Sequence, residues 1–149
     1  MTKATSTSPG KTRWHLWVAG MAALLWNGFG AFDYVMIESR NATYMSSFTP
    51  EQIDYFDAFP AWVIAAWALS VWGGVFGAIL LLLRWRLAVP VFGVSLLAMV
   101  VTFFHNYALA SGLAVRDGAE GLVFTAMIVL VGVVFFIYAR RLAGQCVLN

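Results

Sequence analysis

The chain has 149 residues, of which 62% are apolar and 11% are charged, and its formal net charge is +2. Soluble globular domains are roughly 45–50% apolar and roughly 25% charged, whereas the mean hydropathy of this chain is +0.81. These values exclude an ordinary soluble domain and indicate a protein embedded in a lipid bilayer.

Four stretches of the sequence carry no charged residue over a length that can cross a bilayer. A spanning helix needs about 20 mostly apolar residues, and these stretches have 19, 26, 29 and 19. Their apolar residues run consecutively instead of alternating as in a membrane β-strand. We therefore predict an all-α fold, a bundle of four transmembrane helices in up-down-up-down order. The predicted bounds are residues 14–37, 61–84, 88–112 and 119–141.

The distribution of charge predicts which side of the membrane each loop faces. Lys and Arg are favoured in short cytoplasmic loops. With the N-terminus inside, seven cations lie inside and two lie outside, and all seven acidic residues lie outside or at the outer end of a helix. Both termini are therefore predicted to be cytoplasmic. The predicted parts are a disordered basic tail at 1–12, a membrane domain at 13–142 and a cytoplasmic C-terminus at 143–149.

The predicted outer loop, residues 38–60, contains a start signal for a short helix. Thr49 is followed by Pro50 in the first turn and by Gln52 three residues later, which is the pattern of a capping box. We expect an amphipathic helix over about 50–58 that lies on the outer leaflet. Two roles are open: orienting the second spanning helix, which we favour, and acting as a lid over an outward-facing pocket.

Small residues recur on one face of the second predicted helix. Ser70 and Gly74 are four positions apart, as are Gly73 and Gly77, so each pair lies on one face of a helix. Small residues allow two helix backbones to approach closely in a membrane. This face predicts a helix–helix contact, and the sequence leaves open whether that contact lies within the bundle or between copies.

Polar residues of the first and third predicted helices fall in the outer part of the membrane, with Asn27 below the others near its middle. The first helix carries Asn27 and Asp33, and the third carries Thr102, His105 and Asn106. Ionisable residues inside a membrane are functional candidates by default, and a histidine titrates near neutral pH. We predict an intramembrane cluster of these five residues. An Asp33–His105 pair is the functional hypothesis, and simple hydrogen bonding between helices is the interpretation that we favour.

No motif for catalysis, a cofactor or a metal is recognisable in the sequence. His15 and His105 fall in opposite halves of the membrane and supply no pair of haem ligands, and a lone Cys146 excludes a disulfide within the chain. Phosphate loops, nucleophile elbows and zinc motifs are missing, and scattered basic residues exclude a nucleic-acid interface. We predict no enzyme and no catalytic, cofactor-binding or metal-binding residues.

Several stretches of the sequence resemble a family of small four-helix inner-membrane proteins of proteobacteria. They are Leu25–Tyr34, Phe59–Ala68 with Trp72–Gly74 after it, and Tyr44-Met45, Phe48–Gln52 and Tyr55-Phe56 between them. Members of that family are often labelled sugar transporters. The resemblance covers about residues 25–142 and implies a multi-pass protein of the bacterial inner membrane and, less specifically, transport. No functional residue carries over from it.

Two functions are compatible with these features. The first is transport of a small polar solute by a homo-oligomer, in which the polar cluster lines the path and the small-residue face forms the contact between copies. The second is a non-catalytic role as an accessory or assembly subunit of a larger membrane complex. In either case the lipid bilayer is a partner, and nucleic acid is not.

Overall fold

The computed structural model describes residues 14–110, 118–145 and 147–148, and the regular elements in these ranges are all helical. This confirms the all-α prediction. The predicted tail at 1–12, the turn around Arg116 and Cys146 lie outside the described residues. The helices are α1 (Trp14–Glu38), α2 (Ala42–Met45), α3 (Pro50–Asp57), α4 (Ala61–Leu82), α5 (Ala88–Phe104) with a π-helical turn (His105–Leu109) after it, and α6 (Gly118–Gly144).

Three of the described helices are long and apolar enough to cross a membrane. They are α4, α5 together with its π-helical turn, and the Glu120–Gly144 part of α6. α1 has 25 residues but is not among them. His15, Asn27 and Asp33 interrupt its apolar sequence, so the four-span arrangement depends on how α1 is placed.

The exposed surface that the long helices present around the bundle is apolar. Phe29, Leu97 and Val123 expose 73%, 66% and 70% of their surface. A continuous apolar surface of this kind marks a contact with a membrane or with another protein. Together with the three long apolar helices, it is compatible with an integral membrane protein.

Consecutive long helices pack against each other in opposite directions. Gly20 of α1 lies against Leu82 of α4, and further along α1 the Tyr34 ring contacts Trp67 of α4 at 5.0 Å between centroids. The contacting residue numbers therefore rise along α1 while they fall along α4. The same reversal holds for α4 with α5 and for α5 with α6.

The small residues of α4 serve contacts within the chain. A Cβ atom at Gly74 would overlap the Asn27 carboxamide of α1, and one at Gly77 would lie 2.9 Å from the Phe92 ring of α5. Gly73 also faces α5. The predicted helix–helix contact therefore lies inside the bundle. Of the two alternatives, the contacts of α4 support the one within the bundle, because neighbouring helices of the same chain occupy this face.

The two ends of the bundle are filled differently. The end that contains Leu16, which we call the inner end after the predicted orientation, has a continuous apolar core with Leu81, Phe92 and Leu142. α1 and α6 also meet there, where His15 Nδ1 lies 2.8 Å from the Tyr138 hydroxyl oxygen. The opposite, outer half has a smaller apolar cluster around Tyr55, Phe59 and Val63, and it also contains a cavity.

Candidate functional site

A cavity of about 140 Å³ lies in the outer half of the bundle, and α1, α3, α4, α5 and α6 all contribute to its wall. A cavity of roughly 150 Å³ accommodates a benzene-sized molecule. The space therefore suits a small organic solute. Its polar side chains come from four helices: Asn27 and Asp33 of α1, Ser70 of α4, Thr102 and Asn106 of α5 and its π-helical turn, and Thr125 of α6.

Four of the five residues of the predicted polar cluster line this cavity, and His105 does not. The His105 ring is buried beside it and lies perpendicular to the rings of Phe59 and Trp62, at centroid distances of 5.8 and 5.2 Å. Its role in the described structure is therefore to pack against aromatic side chains of the outer loop and of α4. The four lining residues are Asn27, Asp33, Thr102 and Asn106.

Asp33 pairs with Tyr44 and not with His105. The Tyr44 hydroxyl donates a short hydrogen bond to Asp33 Oδ1, whereas His105 Nδ1 lies 3.4 Å from Asn106 Oδ1. The structure therefore does not form the hypothesised Asp33–His105 pair. Tyr44 reaches the carboxylate because the short helix α2 begins at the Asn41 cap, whose side chain accepts a hydrogen bond from the Tyr44 backbone N–H at 3.1 Å.

The state of Tyr44 follows from its surroundings. Burial, the hydrogen bond to Asp33 and the negative charge of that carboxylate raise the pKa of Tyr44 to about 12. The hydroxyl therefore remains protonated at neutral pH and keeps donating to Asp33 Oδ1. The second carboxylate oxygen, Oδ2, has no hydrogen-bond partner within the described part of the chain. It is the oxygen left to interact with a solute.

Two donors of the cavity wall are already engaged with the helix backbone. Asn27 Nδ2 donates to the Ala23 carbonyl oxygen at 2.8 Å, and the Thr102 hydroxyl donates to the Ala98 carbonyl oxygen at 2.9 Å. The capacity left on these side chains is mainly that of their oxygen atoms, which accept. Asn106 differs, because its carboxamide both donates and accepts. The wall therefore presents more acceptors than donors.

α3 covers the outer side of the cavity. Its capping box forms as predicted, since Thr49 Oγ1 accepts from the Gln52 N–H at 3.3 Å and Gln52 Oε1 accepts from the Thr49 N–H at 3.0 Å. Phe56 and Phe59 line the cavity, and each ring lies 6.4 Å from the Trp67 ring of α4. We favoured an orienting role for this helix from the sequence, but its contacts support the alternative role as a lid.

An exposed ion pair holds the end of this lid. Arg40, just after α1, donates to Asp57 Oδ2 at 2.9 Å and lies 2.5 Å from its other oxygen. The hydrogen bond from Arg40 to Asp57 also raises the pKa of Arg40, so the pair stays charged. Exposed ion pairs are weak and are screened by salt. The pair therefore links the C-terminal end of α3 to the residue after α1 only weakly.

Two features of the wall were not predicted. The α-helical pattern of α5 gives way to the π-helical turn His105–Leu109, which places the adjacent side chains His105 and Asn106 both inside the bundle, with 8% and 4% exposure. π-helical turns are rare and frequently occur at functional sites. Thr125 is the second feature, and its hydroxyl bonds the Tyr107 hydroxyl at 2.6 Å. One threonine in an otherwise apolar helix gives no sequence signal.

The site shows the features of a binding cavity. Within the described ranges, no group of three or more His, Cys, Asp or Glu side chains comes together to hold a metal ion. Comparison with protein-family models, with curated proteins and with solved structures found no match to this chain. The resemblance to small proteobacterial inner-membrane proteins therefore stays a prediction.

Proposed function

We propose that the protein is an integral membrane protein that binds a small polar solute in this cavity, from the outer side, as the first step of transport. The observation that supports the proposal is the polar wall itself. Polar side chains inside a membrane domain are costly and mark substrate pathways, and here they converge on one space.

The apolar inner end favours a closed state in which solute has no exit to the inner side. Below the cavity, a small space of about 10 Å³ lies beside Ser95, and the apolar core that contains Leu16 and Leu142 lies at the inner end. Transport would require α1 and α6 to separate at the inner end. The His15–Tyr138 hydrogen bond and the packing of Leu16 against Leu142 would have to open.

We further propose that α1 is the fourth span and that both termini are cytoplasmic, in a bacterial inner membrane. At roughly 1.5 Å per residue α1 is about 37 Å long, which exceeds the roughly 30 Å of the hydrocarbon core. Its polar residues Asn27 and Asp33 face the cavity and not the lipid. The excess of cations at the inner side supports the same orientation.

Single-thiol variants in a Cys146→Ser background test this topology. With a thiol reagent that does not cross membranes, we expect Ser47→Cys to react in intact cells. Thr2→Cys and Gly144→Cys should react only after the membrane is permeabilised. Thr2 precedes the first span on the inner side, and the three further spans that follow α1 return the chain to the inner side before Gly144. Reaction of both Thr2→Cys and Ser47→Cys in intact cells would show that α1 does not cross the membrane, and reaction of Thr2→Cys alone would show the inverted orientation.

A pair of cysteine variants on α5 tests the binding cavity. Thr102 and Ser95 are equally buried, each with 4% exposure, but only Thr102 lines the large cavity. In the Cys146→Ser background, we expect a small methanethiosulfonate reagent added from outside to modify Thr102→Cys at least about tenfold faster than Ser95→Cys. Equal rates would contradict an accessible cavity and would leave the accessory-subunit role as the remaining hypothesis.

A further inference from the structure

The only formal charge among the described residues that line the cavity is negative. Of the described residues that line it, Asp33 alone is ionisable, and no Lys, Arg or His side chain is among them. Tyr44, the partner of Asp33, is a neutral donor and does not balance the carboxylate. An anionic solute would therefore meet repulsion in this space, whereas a cation would find a counter-charge.

Aromatic rings form the largest group among the other residues of the wall. The cavity is lined by Trp26, Phe56, Phe59, Trp67, Phe103 and Phe124. The faces of aromatic rings attract cations, and this attraction is strengthened when the cation is desolvated. Aromatic cages of this kind suit ammonium groups, including alkylated ones that cannot donate hydrogen bonds.

The hydrogen-bonding capacity of the wall also favours a cationic solute. One N–H of the Asn27 carboxamide and the hydroxyl hydrogen of Thr102 are donated to backbone carbonyl oxygens, so these side chains mainly offer oxygen atoms that accept. Asn106 can serve a neutral polar group such as a hydroxyl. A solute with one positive charge and one small polar group matches these three properties together.

We propose that the solute is a small organic ammonium ion, held by the Asp33 carboxylate and the surrounding aromatic rings. This inference rests on the proposed binding function and specifies its substrate class. Asp33 acts as the counter-ion, Tyr44 fixes the orientation of its carboxylate, and α3 closes the aromatic wall over the bound cation.

The test compares matched probes on the full chain in lipid nanodiscs, with the tryptophan emission of the protein as the readout. The probes are choline, its uncharged carbon isostere 3,3-dimethyl-1-butanol, and glucose. We expect choline to bind and the isostere to bind at least about tenfold more weakly, because the isostere lacks the positive charge that pairs with Asp33. A tenfold change corresponds to about 1.4 kcal/mol of binding free energy. This comparison uses the unaltered protein, so it does not depend on the folding of any variant.

The matched variants are Asp33→Asn and Asp54→Asn. The substitution Asp33→Asn keeps an oxygen that accepts from Tyr44 but removes the negative charge, so the affinity for choline should fall by about 30-fold or more. Asp54 is an exposed carboxylate on α3 outside the cavity, and its replacement should leave affinity unchanged. Retention of choline affinity in Asp33→Asn would overturn the assignment.

The remaining outcomes separate the inference from the function on which it rests. If the isostere or glucose bound as tightly as choline, the cation assignment would fail while solute binding stood. If no probe bound but Thr102→Cys was modified selectively, the ammonium assignment alone would fail. Failure of both binding and selective modification would overturn the proposed function as well.

Discussion

Replacing Trp67 by Ala is expected to uncover the cavity and to lower the free energy of unfolding by about 3 kcal/mol. The Trp67 ring lies 5.0 Å from Tyr34 of α1 and 6.4 Å from both Phe56 and Phe59 of the outer loop. It is therefore the point at which the lid helix is attached to the spanning helices. Removal of the ring leaves a void between α1, α3 and α4 that movement of these helices cannot fill completely.

Hydrogen exchange of the outer-loop amides measures this effect. In Trp67→Ala we expect the amides of α3 to exchange at least about tenfold faster, since their protection depends on the local opening free energy. Trp72→Ala is the matched control, because Trp72 lies on the same helix, exposes 40% of its surface and makes no ring contact within the described residues. Equal acceleration in both variants would contradict the attachment of the lid through Trp67.

Replacing Gly74 by Val is expected to destabilise the bundle by about 3 kcal/mol, at the upper end of the usual cost of overpacking. A Cβ atom at this position would overlap the Asn27 carboxamide. The side chain of Asn27 would have to leave its place, which breaks its hydrogen bond to the Ala23 carbonyl oxygen. The variant should therefore also disturb the polar wall of the cavity.

Thermal unfolding in a mild detergent, followed by tryptophan emission, tests this prediction against the same substitution at another helical glycine. A Cβ atom at Gly28 of α1 would meet nothing within 4 Å, so Gly28→Val should change stability by less than about 0.5 kcal/mol. A loss of stability of the same size in both variants would show that replacing any helical glycine by valine is costly in this protein. It would contradict a close contact specific to Gly74.

The positions and the apolar character of the long helices were readable from the sequence because a bilayer constrains the length and composition of any helix that crosses it. A hydrocarbon core requires about 20 apolar residues in each span and internal bonding of every backbone polar group. The predicted bounds accordingly agree to within a few residues with α1, with α4, with α6, and with α5 when its π-helical turn is included. The predicted end of the third helix at residue 112 lies outside the described residues. The start of α3 was also predicted correctly, because the capping box from Thr49 to Gln52 is a local interaction.

The sequence predicted the depth of the candidate-site residues in the membrane but not the directions of their side chains. Counting residues along a helix placed Asp33, Thr102 and Asn106 in the outer part of the membrane with Asn27 below them, and these four line the cavity. Depth does not specify which way a side chain points around the helix axis. The sequence therefore could not tell that His105 packs against aromatic rings beside the cavity.

The sequence by itself determined the membrane class, the helix bounds and the small-residue face of α4. The tertiary structure decided that this face packs against α1 and α5, that Tyr44 pairs with Asp33 and that α3 covers a cavity. The physical reason is that the spanning helices are apolar on nearly every side, so their sequences specify length and depth but not direction. Direction is set only when close backbone approach and hydrogen bonds select one arrangement of neighbouring helices.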